Sequence, residues 1–321
     1  MGKYKNFIKK LELKKAPVGL FPEGEEKVFS LNSFELEGYP GTIMVKYVTE
    51  SMVFHPANEQ YSLIHPYDEL MLFVGTNSED LIYLGAKISI CLGLECKRFS
   101  VSETSVAVIP ANTPHGPIII EDMEKPFIVI TLTDSKDYYH KLLKREDLHL
   151  QSNLKDRALV KRVTTSRSAL DTIRKLGDVK IDERGVMDLR TIGPGEAYQM
   201  VQMHPEDLEG INISFSLEFC GSPGAWMSTK FGHVHPEPEL LVALGLDAGY
   251  PERLGASLEF WFGTEREVYV IDKPAVITIP RPWIVHTPLI TQKVDHPFLF
   301  MLVFPGVYTQ AGFVETGDDP F

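Results

Sequence analysis

Apolar residues along this chain fall in short runs rich in β-branched and aromatic side chains, and Gly and Pro interrupt them. Such runs predict strands, because branched and ring side chains pack well on a pleated, half-buried surface. Ile43 to Val48, Glu69 to Val74, Ala86 to Leu92, Val106 to Ile109 and Phe127 to Leu132 form one series. A second series follows at Ile211 to Phe219, Glu239 to Leu244, Ala256 to Phe262, Val276 to Ile279 and Phe298 to Phe304. Many short strands at even spacing point to an antiparallel sandwich or jelly roll. Helical spacing, with apolar residues three and four apart among charges, occurs at Ser135 to Asp147 and Ser166 to Leu176, between the two series. The longest unbroken apolar stretches, Leu240 to Leu244 and Phe298 to Phe304, fall far short of the roughly 18 residues of a membrane span.

The two series are copies. Shifted by 170 places, His65-Pro66-x-x-Glu69-Leu70 lies on His235-Pro236-x-x-Glu239-Leu240. Without a gap, the same shift lays Gly75 on Gly245, Leu84-Gly85-Ala86 on Leu254-Gly255-Ala256, Gly93 on Gly263 and Ile109-Pro110 on Ile279-Pro280. Thirteen of the 46 pairs from position 65 to 110 are identical, and glycines, prolines and acids match together, which chance does not explain. One residue is then gained, so that His115 answers His286. Each unit spans about a hundred residues, and we divide the chain into residues 1–150 and residues 151–321, the latter opening with the helical connection.

Composition narrows the partners. The 321 residues carry 44 acidic against 32 basic side chains, a formal charge of −12, which repels polyanions and excludes nucleic acid as an expected partner. Met1 to Lys15 is basic but is followed by no apolar core of a secretory signal, so a cytoplasmic protein is expected. Cys91, Cys96 and Cys220 are odd in number and lack Cys-x-x-Cys spacing, and we read them as reduced and mostly buried.

The chemistry concentrates in Gly232-His233-Val234-His235-Pro236-Glu237-Pro238-Glu239-Leu240. Histidines two apart on a strand share one face. Pro236 and Pro238 remove ladder donors, so the strand should end there and Glu239 should open the next one, bending a carboxylate back towards the imidazoles. Some 47 positions later, Pro280-Arg281-Pro282-Trp283-Ile284-Val285-His286 supplies a turn and a third histidine. Three imidazoles and one carboxylate suit Fe(II), Mn(II), Zn(II), Ni(II) or Co(II), with positions left for water or substrate.

This pattern resembles the two motifs of the cupin superfamily, and the duplication resembles a bicupin. The resemblance covers roughly two hundred residues through His233, His235, Glu239, Gly245 and His286. It departs from the motif at Met227, where the family has Gly, and by one extra residue before His286. It implies an all-β fold of two tandem cupin barrels, double-stranded β-helices of the germin-like and RmlC-like kind, with a helical connection. It also implies a divalent metal, Fe or Mn before Zn or Ni, held by His233, His235, Glu239 and His286.

In the first copy His65, Glu69 and His115 keep their places, but Leu63 stands where His233 stands. Two histidines and a carboxylate make a second candidate metal site, with His55 and Tyr61 as further ligands to be recruited. The alternative is an inherited cluster in which Glu69 bonds a histidine. Around the second site, Arg281 could clamp a substrate carboxylate through two parallel hydrogen bonds and Trp283 could form an apolar wall. Glu259 and Trp261 are further candidates, although strand parity leaves open which face of Ala256 to Phe262 lines the lumen.

No phosphate loop or Ser or Cys nucleophile signature appears, and Gly193-Pro194-Gly195 reads as a turn. The resemblance points first to an oxidoreductase, dioxygenase-like or decarboxylase-like, acting on a small organic acid. A metal-dependent sugar or keto-sugar isomerase, with Glu259 moving the proton, is the second reading. A non-catalytic metal- or metabolite-binding cupin is the third. Exposed sheet edges and the apolar strand Phe298 to Phe304 suggest a homodimer.

Overall fold

A computed structural model of the chain describes residues 2–17, 20, 27–54, 60–150, 158–174, 178–189, 197–225, 231–280, 284–286, 290–307 and 312–315. The chain forms two compact units that no single cut in sequence separates. One consists of Glu12–Phe34 and Pro40–Val163; the other of Met1–Leu11, Glu35–Tyr39 and Thr164–Phe321. The first eleven residues therefore belong with the second copy of the repeat, because the strand Ile8–Lys10 pairs antiparallel with Ala275–Ile279.

The unit of the first copy is built of two antiparallel sheets. In one, Leu159–Arg162, Ser105–Ile109, Glu69–Gly75, Phe127–Thr133, Thr42–Val48, Lys27–Leu31 and Leu13–Lys15 lie in that order. In the other the order is Lys141–Lys144, Tyr61–Ile64, His115–Met123, Tyr83–Leu92 and Lys97–Glu103. Met71, Phe73, Ala107 and Val129 of the first sheet bury against Ile88, Ile90, Leu92 and Ile118 of the second. Alternation does this, since every second side chain of a strand faces the same way.

The second copy's unit repeats the plan. Its larger sheet runs Ile8–Lys10, Ala275–Ile279, Glu239–Gly245, Phe298–Pro305, Ile213–Cys220, Ala197–Met203, Met187–Asp188 and Lys180–Ile181. The other holds Gly224–Ala225, Ile290–Val294, Ala256–Phe262 and Glu267–Ile271, and Phe231–Val234 pairs with Gly312–Glu315. Leu258, Phe260 and Phe262 bury against Leu241, Ala243, Ile277, Phe298 and Phe300. The fold is all-β, two tandem cupin jelly rolls.

The repeated glycines have a common cause. A Cβ on Gly75 would run into the carbonyl oxygen of Tyr83, and one on Gly245 into that of Arg253. Gly85 and Gly255 hold φ of +75° and +81°, the left-handed region that suits a residue without Cβ.

All ten predicted strands are present, shifted by three residues at most. Ser166 to Leu176 contains the α-helix Arg167–Ile173. Ser135 to Asp147, expected to be helical, is not. Lys141–Lys144 pairs instead with the strand Tyr61–Ile64, and only a 3-10 helix, Arg145–Leu150, follows. The ladder offers these residues an edge to complete, and tertiary pairing overrides a weak helical pattern. The cysteine reading is corrected as well. Cys91 and Cys96 form a disulfide, because the turn between Tyr83–Leu92 and Lys97–Glu103 brings their Cα atoms to 4.8 Å. Cys220 is buried as expected.

Candidate metal centre

In the second copy the strand Phe231–Val234 ends before the proline run and Glu239–Gly245 begins after it, which folds His235 and Glu239 back on each other. Two backbone hydrogen bonds fix the third histidine. His233 N donates to His286 O at 2.8 Å, and His286 N donates to His233 O at 3.1 Å. The His233 and His286 rings stand 4.1 Å apart, and His235 and His286 4.9 Å apart. One ring nitrogen from each of His233, His235 and His286 lies within 4.8 Å of the other two. Glu239 joins them through Oε2, which is 3.1 Å from His235 Nε2 and 3.5 Å from His286 Nε2.

The ring tautomers follow from the outer contacts. His235 Nδ1 is 2.7 Å from Glu237 O and His286 Nδ1 is 2.9 Å from Ile284 O. A carbonyl only accepts, so each Nδ1 carries the hydrogen and each neutral ring turns an Nε2 lone pair inward. His286 Nε2 is buried and makes no hydrogen bond among the described residues. Lone pairs that converge on a buried carboxylate oxygen repel one another unless a cation, a proton or a metal ion, lies among them. This donor set fits a divalent metal.

The electrostatics agree. Burial pushes the Glu239 carboxyl up, but the adjacent His235 and His286 imidazoles outweigh it and hold it well below the usual carboxylate range. Burial pushes His235 down, and the hydrogen bond and charge of Glu239 bring it above its ordinary value. For His233, burial and then His286 leave the imidazole well below that value.

The first copy repeats this arrangement with one member changed. His65 Nδ1 bonds Tyr67 O at 2.7 Å and His115 Nδ1 bonds Thr113 O at 3.2 Å. Their Nε2 atoms stand 2.7 Å and 3.6 Å from Glu69 Oε2. Leu63 packs with Leu20, Val28, Met44 and the ring of Tyr138, and the Tyr138 hydroxyl donates to Glu69 Oε1 at 3.4 Å. Tyr67 stacks on His65 with ring centres 4.3 Å apart. Burial raises the Glu69 carboxyl and the charge of His65 lowers it; the result lies below its ordinary value. The sequence pattern does not single out Tyr138 or Tyr67. Tyr138 lies in the segment read as helix, and no spacing rule connects it with Glu69. His55 lies outside the described residues.

The surrounding candidates fare differently. Phe260 lies 6.0 Å from the His286 ring, so that face of Ala256–Phe262 lines the centre. Glu259 and Trp261, of opposite parity, point away from it. Both oxygens of Glu259 are engaged there, one by Trp261 Nε1 and the other by Gln292 Nε2. Arg281, Trp283, Met227 and Gly193-Pro194-Gly195 lie outside the described residues.

No protein-family model and no curated protein matches this chain. Among solved structures it is similar to Bacillus subtilis oxalate decarboxylase. A structure of that enzyme at pH 4.6 superposes with a TM-score of 0.54 at 12% identity, covering 97% of this chain and 79% of the other. A study of that enzyme's Mn(II) centres gives 0.56 at 12%, covering 97% and 80%. One of its point variants gives 0.56 at 13%, with the same coverage. At such identity the likeness carries the fold, two cupin modules in one chain, and leaves the chemistry to the site.

Proposed function

We propose that this protein is a metal-dependent bicupin oxidoreductase, decarboxylase-like or dioxygenase-like, that acts on a small organic acid at the centre of the second copy. The observation that carries the reading is the convergence of the His235 and His286 Nε2 atoms on Glu239 Oε2, each ring locked by a backbone carbonyl. Mn(II) or Fe(II) fits this nitrogen- and oxygen-donor set, as do Zn(II) and Ni(II). The fold likeness to an enzyme with Mn(II) centres supports Mn(II). When bound, such an ion polarises a coordinated carboxylate and supplies redox chemistry.

The chain's own residues do the rest. His233, His235, Glu239 and His286 would hold the ion. The carbonyls of Glu237 and Ile284 keep two of the imidazoles aimed, which preserves the geometry through turnover. Phe260 forms an apolar wall beside His286 and keeps water from that side. The isomerase reading loses its proton carrier, because Glu259 faces away from the centre with both oxygens held. The same reading includes a germin-like ancestry for the modules, a homodimer and a cytoplasmic location.

The test is turnover of oxalate and related small organic acids by protein loaded with Mn(II) or Fe(II). Carbon dioxide release without net oxygen uptake supports the decarboxylase, and stoichiometric oxygen uptake supports the dioxygenase. Both activities should vanish in His286→Ala. Metal bound at the second centre without turnover across the acid panel would leave the non-catalytic binder.

A further inference from the structure

We propose that Cys91 and Cys96 form a thiol–disulfide exchange site, worked by a small or protein dithiol and assisted by Arg145. This inference is independent of the metal chemistry proposed above.

The two cysteines flank the turn that joins Tyr83–Leu92 to Lys97–Glu103. Leu92 already pairs with Lys97, and Cys96 N donates to Gly93 O at 3.2 Å, so the hairpin closes this loop without a covalent bond. A bond across so short a loop removes little chain entropy and is a poor staple. Cys96 is half-buried at φ +51°, whereas Cys91 is buried, so a reagent meets Cys96 first.

Arg145 makes the pair reactive. Its Nη2 donates to Cys91 Sγ at 2.9 Å and to Gly116 O at 2.5 Å, and its Nη1 reaches Gly93 O at 3.5 Å. Its Nε is buried and has no hydrogen-bond partner among the described residues. These partners are all neutral, and burial lowers its pKa. A half-buried cation with no carboxylate partner among the described residues favours an anion within reach, and of the groups it touches only Cys91 sulfur can become one.

The exchange balances. A thiolate of the incoming dithiol attacks Cys96 Sγ, the Cys91–Cys96 bond breaks, and its electron pair leaves on Cys91 as a thiolate beside Arg145. The reagent's second thiol, deprotonated by solvent, then attacks the mixed disulfide at the reagent's own sulfur. Cys96 leaves as a thiolate and takes a proton from water. Two electrons pass from the dithiol, which departs as a disulfide, to the cysteine pair.

The experiment uses the full chain. Alkylation of air-equilibrated, denatured protein should label Cys220 alone, and all three cysteines after dithiothreitol. Reduction by dithiothreitol near pH 7 should slow by about three- to tenfold in Arg145→Gln and less in Arg145→Lys, since the leaving thiolate loses its cation. In Cys96→Ala, thiolate absorbance at 240 nm should place the Cys91 pKa below the ordinary thiol value of about 8.5. That variant decides the matter should Arg145→Gln fail to fold. Labelling of all three cysteines without reductant, an unchanged reduction rate in folded Arg145→Gln, or an ordinary Cys91 pKa would each overturn the proposal.

Discussion

Replacing His235 with Ala separates two roles of the second centre, and both magnitudes follow from its burial. His235 and Glu239 side chains are only 3% and 4% exposed, with Nε2 and Oε2 3.1 Å apart. Removing one partner of a buried pair costs about 3–5 kcal/mol, because the other charge is left uncompensated. Glu239 recovers part of this by taking up a proton, so metal-free His235→Ala should lose about 3 kcal/mol in chemical denaturation. Metal binding loses a ligand as well. Apparent binding of about 10–16 kcal/mol shared over four donors gives about 2.5–4 kcal/mol each, or about 10²–10³-fold in Kd. Elemental analysis and Mn(II) titration calorimetry measure that loss. The double variant His235→Ala/Glu239→Gln should regain most of the metal-free stability, since no buried charge remains, yet still fail to bind metal. Wild-type metal content in His235→Ala would refute the ligand assignment. A stability loss that persists in the double variant would refute the electrostatic reasoning.

Four further outcomes follow from the same geometry. The Glu239 carboxyl is held well below its ordinary value of 4.5, so its stabilising contribution is full above that pH and is lost progressively as pH falls from there toward the depressed folded value. The difference in unfolding free energy between metal-free wild type and Glu239→Gln should therefore be constant above about pH 6 and shrink steadily as pH falls below about 5, and a difference that stays constant down to about pH 3 would contradict the shift. Gly245→Ala forces a Cβ onto the Arg253 carbonyl, a backbone atom that cannot swing aside, and should lower stability by about 1–3 kcal/mol in thermal melts. Tyr138→Phe removes the hydroxyl from Glu69 Oε1. If His65, Glu69 and His115 hold a metal ion, it should weaken binding there by about 10–100-fold, read by titration in a His286→Ala background, and as a single variant it should leave the second centre's metal content unchanged. Glu259→Gln should retain full metal content, since that carboxylate faces Trp261 and Gln292 and not the histidines.

The repeat made most of the fold legible. Gly75 and Gly245 match because one close backbone approach occurs twice, and the strands around them alternate on the same faces in both units. The clustering of His233, His235, Glu239 and His286 was legible for a related reason: His-x-His, two prolines and a glutamate encode a strand, a stop and a return. What escaped were relations that no local pattern carries. Lys141–Lys144 became a strand because Tyr61–Ile64 presents an edge to it. Glu259 and Trp261 could be assigned a face only once the Phe260 ring was seen beside His286. The disulfide escaped because spacing alone does not show that a turn brings Cys91 and Cys96 together.

The asymmetry of the two centres is then a matter of packing as much as of ligand count. Replacing a histidine by leucine removes a donor and also changes what the surrounding shell wants to contact. At Leu63 the side chain joins Leu20, Val28 and Met44, and the same apolar cluster carries the Tyr138 ring to a point where its hydroxyl meets Glu69. The phenol thus occupies the carboxylate oxygen that His65 and His115 leave over. In the second copy His233 fills the corresponding position and its ring stands 4.1 Å from that of His286. Restoring histidine at position 63 therefore should not by itself recreate the second centre, because the Tyr138 ring still packs there. The pair Leu63→His with Tyr138→Ala is the smallest change that could, and metal stoichiometry measured on the single and double variants tests whether the two positions act together.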